Sequence, residues 1–134
     1  MNDSVFAKRR DLSLTRITKA VFPDTTNHHD TLFGGTAMQW MDEASFISAT
    51  RFSRKRLVTV SIDKVDFEHP VPAGSVVELV AEVTEVGMTS LKVQVQMWVE
   101  NMYCDGKTKA ISGVFKFVAI DSSMKPTPVM EAIA

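Results

Sequence analysis

From Asn27 to Glu43 the sequence runs Asn27-His28-His29-Asp30-Thr31-Leu32-Phe33-Gly34-Gly35-Thr36-Ala37-Met38-Gln39-Trp40-Met41-Asp42-Glu43, a polar loop, a double glycine and then a carboxylate. A helix that starts at Gly34-Gly35 offers unpaired backbone N–H groups and the positive end of its dipole to any oxygen gaining negative charge nearby. Asp42 follows Gly35 by seven residues, close to two turns, so donor and carboxylate share one helix face roughly 10 Å apart along the axis. That combination suits chemistry in which a base takes a proton while an oxygen becomes an anion. On these residues alone, Asp42 as the structural partner of a neighbouring backbone group or arginine stays an open alternative.

On a wheel of about 100° per residue over positions 35–51, Met38, Phe46 and Ala49 fall beside Asp42. Ala37, Trp40, Ala44 and Ile47 fall opposite, and only Thr36, Gln39, Glu43 and Thr50 form a polar strip. Such a helix is expected to be buried on most of its circumference, with Glu43 solvated and Asp42 kept from water among Met and Phe side chains. Holding a charge there is costly, which suits a group that must accept a proton.

Other side chains are weaker candidates. His28 and His29 are adjacent, so their side chains are expected to diverge, and with His69 the sole other histidine no metal site is expected. Cys104 lies in Asn101-Met102-Tyr103-Cys104-Asp105-Gly106, a hairpin-turn signal, with nothing to make it reactive. Arg51-Phe52-Ser53-Arg54-Lys55-Arg56 reads as a solvated basic run that could also meet phosphates. Met38 and Met41 on the helix are ordinary core residues or the walls of an adaptable apolar tunnel.

The elements that must position these residues are one helix and a set of strands. Leu91, Val93, Val95, Met97 and Val99 alternate with Lys92, Gln94 and Gln96, the period of a half-buried strand. Residues 76–86 and 111–120 are similarly β-rich, with Gly87 at the turn before Leu91, and an earlier strand is expected over about 14–22. Within 57–67 the apolar phase changes, Val58, Val60 and Ile62 sharing one parity and Val65 and Phe67 the other, so a β-bulge is expected near Asp63-Lys64. Pro70 and Pro72 end that strand and Ala73-Gly74-Ser75 turns into the next. The order β-α-β-β-β-β implies an α+β fold, a curved antiparallel sheet wrapped around one long helix. One helix cannot cover such a sheet, and the leftover edge favours pairing with a second copy.

A chain of 134 residues, 45% apolar and 23% charged, fits one globular domain over 1–134, with about 10 N-terminal and about 12 C-terminal residues peripheral. A net charge of −1 gives no footprint for nucleic acid. No apolar run is long enough to span a bilayer, the start lacks the pattern of a signal peptide, and a single cysteine fits a reducing compartment, so a cytoplasmic protein is expected.

The residues carry a resemblance. Asn27 to Asp42, then Val58-Thr59-Val60-Ser61-Ile62-Asp63-Lys64-Val65-Asp66-Phe67-Glu68-His69-Pro70-Val71, Gly74, Val86-Gly87-Met88-Thr89-Ser90 and Phe117-Val118-Ala119-Ile120-Asp121 resemble, block after block and in order, the hotdog-fold acyl-CoA thioesterases of the bacterial and brain acyl-CoA hydrolase family. The resemblance implies hydrolysis of fatty acyl-CoA to free acid and coenzyme A at a homodimer interface, the dimers stacking into a hexamer, with no cofactor beyond the coenzyme A of the substrate. It implies catalytic roles for Asp42 as base or direct nucleophile, for Asn27 in orienting water or substrate from the opposite subunit, and for the Gly35 N–H as oxyanion donor. Phe33, Gly34, Thr59, Arg54, Lys55, Arg56, Thr89 and Ser90 fall in the substrate and coenzyme A region; Met88 stands where relatives often have arginine. A non-catalytic acyl-CoA sensing module, and a hotdog hydratase or dehydratase, are the competing readings. The second normally needs a His–carboxylate arrangement that no residues here supply.

Overall fold

The computed structural model describes residues 3–130, in the order α1 (Asp3–Ser13), β1 (Thr15–Ala20), a 3₁₀ turn (Pro23–Thr25), α2 (Gly34–Ser53), β2 (Arg56–Phe67), β3 (Ser75–Val86), β4 (Ser90–Asn101) and β5 (Thr108–Ile120). The five strands form one antiparallel sheet in the order β1-β3-β4-β5-β2. The alternation in the sequence sets which face is buried. Val77, Leu79, Ala81 and Val83 of β3, Leu91, Val93, Val95 and Met97 of β4, and Phe115, Phe117 and Ala119 of β5 all point inward. Against them α2 lays Ala37, Ala44, Ser45, Ser48 and Ala49, small residues that let helix and sheet approach closely, together with the large side chains of Met41 and Phe52, which fill the core between them.

The expected bulge is present. Pairing of β2 with β5 skips between Asp63 and Asp66, Lys64 takes the left-handed φ of 53°, and the Asp63 carboxylate accepts the Lys64 N–H at 2.8 Å. A second break lies between Thr59 and Ser61. The phase change does not bury one face of β2 in this chain, however. As an edge strand, β2 leaves Val58, Val60, Ile62, Val65 and Phe67 exposed, Val60 at 51% and Phe67 at 54%.

Of the two segments expected to be peripheral, residues 1–2 and 131–134 lie outside the described residues, and the rest make contacts with the body of the fold. Residues 3–13 form α1, whose Phe6 ring meets Phe52 of α2 edge-on at 5.8 Å, while Arg10 lies over the Phe6 ring and pairs with Glu82 at 3.8 Å. The tail returns along the sheet end: Thr127 N–H donates to Ala119, Val129 N–H donates to Met88, the Ser53 hydroxyl donates to the Val129 carbonyl, and Val129 is buried. Among the described residues no helix is long and apolar enough to cross a membrane.

Candidate active site

The loop before α2 is organised by Asn27. Its backbone N–H donates to Thr31 at 2.8 Å, and Thr26 bridges Leu32 to close the loop. The Asn27 side-chain carbonyl accepts the His29 N–H at 2.9 Å, the Thr31 N–H at 3.3 Å and the Thr31 hydroxyl at 3.2 Å. Three donors on one oxygen fix which end of the amide is carbonyl, and among the described residues the half-buried Asn27 NH₂ is left as an unengaged donor pair. The same turn brings the His28 and His29 rings to 3.8 Å, centroid to centroid, instead of letting them diverge as expected for extended or helical backbone. Both histidines are exposed.

Downstream, the loop is pinned by Leu32 N–H to Val71 at 2.7 Å and Phe33 N–H to Thr25 at 2.9 Å. Phe33 caps α2 in extended backbone with no side-chain hydrogen bond, and the first helical bond runs from Ala37 N–H to Phe33 at 3.0 Å. The N–H groups of Gly34, Gly35 and Thr36 therefore precede the helical ladder and lack partners within it. Glycine at 35 makes room for the Phe33 ring: a Cβ there would lie 2.8 Å from its Cε1, so the ring, which rests against the first turn, would have to move.

Two turns on, Asp42 is half-buried, contrary to the expectation of a carboxylate kept from water. The sheet wraps one side of α2 and leaves Gln39, Glu43 and Phe46 exposed with Asp42 between them; Phe46, at 41% exposure, replaces Thr36 and Thr50 of the expected polar strip. These side chains, with Ile47 and Thr59, line an open groove of about 410 Å³. Across it the Thr59 hydroxyl donates to the Asp42 carboxylate at 2.9 Å, holding one oxygen and leaving the other free. Thr59, placed in the ligand region from the sequence, is thus bonded directly to Asp42.

Within one chain these parts do not all meet. Gly35 and Asp42 are about 10 Å apart along the axis, and neither Asn27 nor Gly34 nor Gly35 lines the Asp42 groove. Arg54, in left-handed backbone as the C-cap of α2, and Lys55 and Arg56 after it lie at the opposite helix end from the glycines, roughly 28 Å away along the axis. Thr89 and Ser90 join that end, because β5 pairs Ile120 with Arg56 and Val118 with Ser90. Cations at a helix C-terminus also complement its dipole. Phe46 lies beside Asp42 as the helix wheel placed it, whereas Gln39 and Ile47, assigned to the polar strip and to the opposite side, also line its groove; their spacing of three and five residues from Asp42 was the available signal. Among the described residues no three His, Cys, Asp or Glu side chains gather to hold a metal.

Residues 29–104 match the profile of the thioesterase superfamily. The chain is 40% identical over 116 residues to an uncharacterized acyl-CoA thioester hydrolase of Bacillus subtilis, covering 87% of this chain and 67% of that protein. The structure superposes with a TM-score of 0.86 on an acyl-CoA hydrolase of Staphylococcus aureus in complex with butyryl coenzyme A and coenzyme A, at 35% identity, covering 92% of this chain and 76% of that one. That enzyme has also been solved with an aspartate, a threonine and an asparagine each replaced by alanine. An apo-hexameric acyl-CoA thioesterase superposes with a TM-score of 0.87 at 35% identity, covering 93% of this chain and 81% of that one.

Proposed function

The chain belongs to the thioesterase superfamily, and from that premise we propose that it hydrolyses fatty acyl-CoA at a site completed by two copies of the chain. It is an acyl-CoA thioester hydrolase of the hotdog fold. Asp42 takes a proton from water, the oxygen adds to the thioester carbonyl, and the resulting oxyanion is met by the Gly35 N–H of the second copy, with Asn27 of that copy donating its free NH₂ to water or substrate. A preorganised donor of this kind contributes about 3 kcal/mol to the transition state. Collapse breaks the C–S bond, and the coenzyme A thiolate leaves, taking up the proton held by Asp42, so atoms and charge balance. No cofactor beyond the substrate's own coenzyme A is required.

The observation that carries this reading is the Thr59–Asp42 hydrogen bond in an open groove that Asn27, Gly34 and Gly35 of the same chain do not line. The exposed apolar β2 edge gives the second copy its docking surface, since an edge strand with side chains such as Val60 and Phe67 uncovered extends readily into a partner's sheet. The hexameric relative supports stacking of such dimers into a hexamer. Phe33 and Gly34 border the acyl entrance, and Arg54, Lys55, Arg56, Thr89 and Ser90 form the end that receives the nucleotide of coenzyme A. A cytoplasmic role in fatty acid metabolism, in a single-domain protein that binds neither nucleic acid nor membrane, fits this substrate.

Thiol release from acyl-CoAs of increasing chain length, with wild type and Asp42→Asn side by side, tests the reading. Turnover in the wild type and a loss of 10²-fold or more in the variant, with binding retained, is expected. Binding without turnover in the wild type would favour the sensing module.

A further inference from the structure

We propose that Glu43 makes this site discriminate against acyl groups that carry a second carboxylate; the inference rests on the reading of the groove as an acyl-CoA thioesterase site. Gln39 and Glu43 stand four residues apart on α2, as do Asp42 and Phe46, so two adjacent columns of the helix face the same groove. Asp42 and Glu43 therefore line it together, and its remaining walls are Gln39, Phe46, Ile47 and Thr59, all uncharged. No lysine or arginine lines the groove, and among the described residues Glu43 enters no ion pair. Asp42 is held by Thr59 and poised for water, whereas Glu43 has no such engagement. Within one copy, among the described residues, no cation compensates its charge.

An acyl chain ending in methyl gains from Phe46 and Ile47 and is indifferent to that charge. A chain of equal length ending in carboxylate brings a like charge to within several ångströms of Glu43. At an effective dielectric intermediate between water and protein interior, that repulsion disfavours binding by about tenfold. The same field acts on the product. Hydrolysis yields a fatty acid that loses its proton to water, and the resulting carboxylate lies beside two resident carboxylates, which drive the anion out of the groove.

Hexanoyl-CoA and adipoyl-CoA, alike in length and differing in their terminal group, are the probes. The hexanoyl-to-adipoyl ratio of kcat/KM is expected to fall about tenfold in Glu43→Gln, to persist in Glu43→Asp, and to shrink in the wild type as salt is raised. Free hexanoate should inhibit Glu43→Gln several-fold more strongly than wild type. A ratio that is unchanged in Glu43→Gln, or insensitive to salt in the wild type, overturns the proposal. Failure of the wild type to hydrolyse hexanoyl-CoA would instead overturn the thioesterase reading, and this inference with it.

Discussion

Replacing Thr59 by valine removes one hydroxyl and nothing else of consequence. Valine is β-branched like threonine, so strand β2 keeps its backbone preference, and position 59 is exposed, so no cavity is created. What is lost is the donor at 2.9 Å from the Asp42 carboxylate. A hydrogen bond to a charged group contributes about 1.5–3 kcal/mol, which sets the expected fall in kcat/KM at roughly 10- to 150-fold if that bond aims Asp42 at the attacking water. The assay is thiol release from a saturable acyl-CoA under initial-rate conditions, with melting temperature as the control. The loss should fall mainly on kcat, because an orienting bond acts on the reacting geometry more than on ground-state binding. Thr59→Ser, which keeps the hydroxyl, should recover most of the activity. Activity within twofold of wild type in Thr59→Val, or equal damage in the serine and valine variants, would refute the orienting role.

Gly35→Ala forces its new Cβ to within 2.8 Å of the Phe33 ring, so the ring must swing off the first turn of α2; a several-fold loss of kcat is expected, and Phe33→Ala in the same chain should restore part of it by removing the clash. Val60→Lys places a charge on the exposed β2 edge and should shift sedimentation toward monomer, with activity lost in parallel although Asp42 and Thr59 are untouched. A monomer that stays fully active would contradict the two-copy site.

Much of this arrangement is legible in the residues because it is local. The alternation of Leu91, Val93, Val95 and Met97 sets the inner face of β4, and the change of parity between Ile62 and Val65 marks the bulge at Lys64. The donor–carboxylate spacing of α2 follows from helix geometry alone. Helix α1 left almost no periodic trace, because a single side chain, Phe6, makes its ring contact with α2. The tail was hidden for a different reason: Thr127 and Val129 are held through backbone N–H groups that any residue but proline would supply. The half-exposure of Asp42 depends on which side of α2 the sheet leaves open, and its bond to Thr59 spans 17 residues of sequence; neither is a property of the helix itself. The wheel around Asp42 ranked neighbours by polarity, and so assigned Phe46 to the interior when it lies on the open face.

The most direct test of a site shared between two copies is complementation between two inactive variants. Asn27→Ala lacks the donor contributed from one side, and Asp42→Asn lacks the base contributed from the other. Each variant alone should be nearly inactive. In a mixed dimer of the two, one of the two sites combines wild-type Asn27 with wild-type Asp42. Equal mixing after dissociation and reassociation makes about half the dimers mixed, so about a quarter of wild-type activity should return in a two-fold assembly. No recovery in mixtures shown by mass to contain the mixed dimer would mean that Asn27 and Asp42 act within a single chain, and the shared-site account would be wrong.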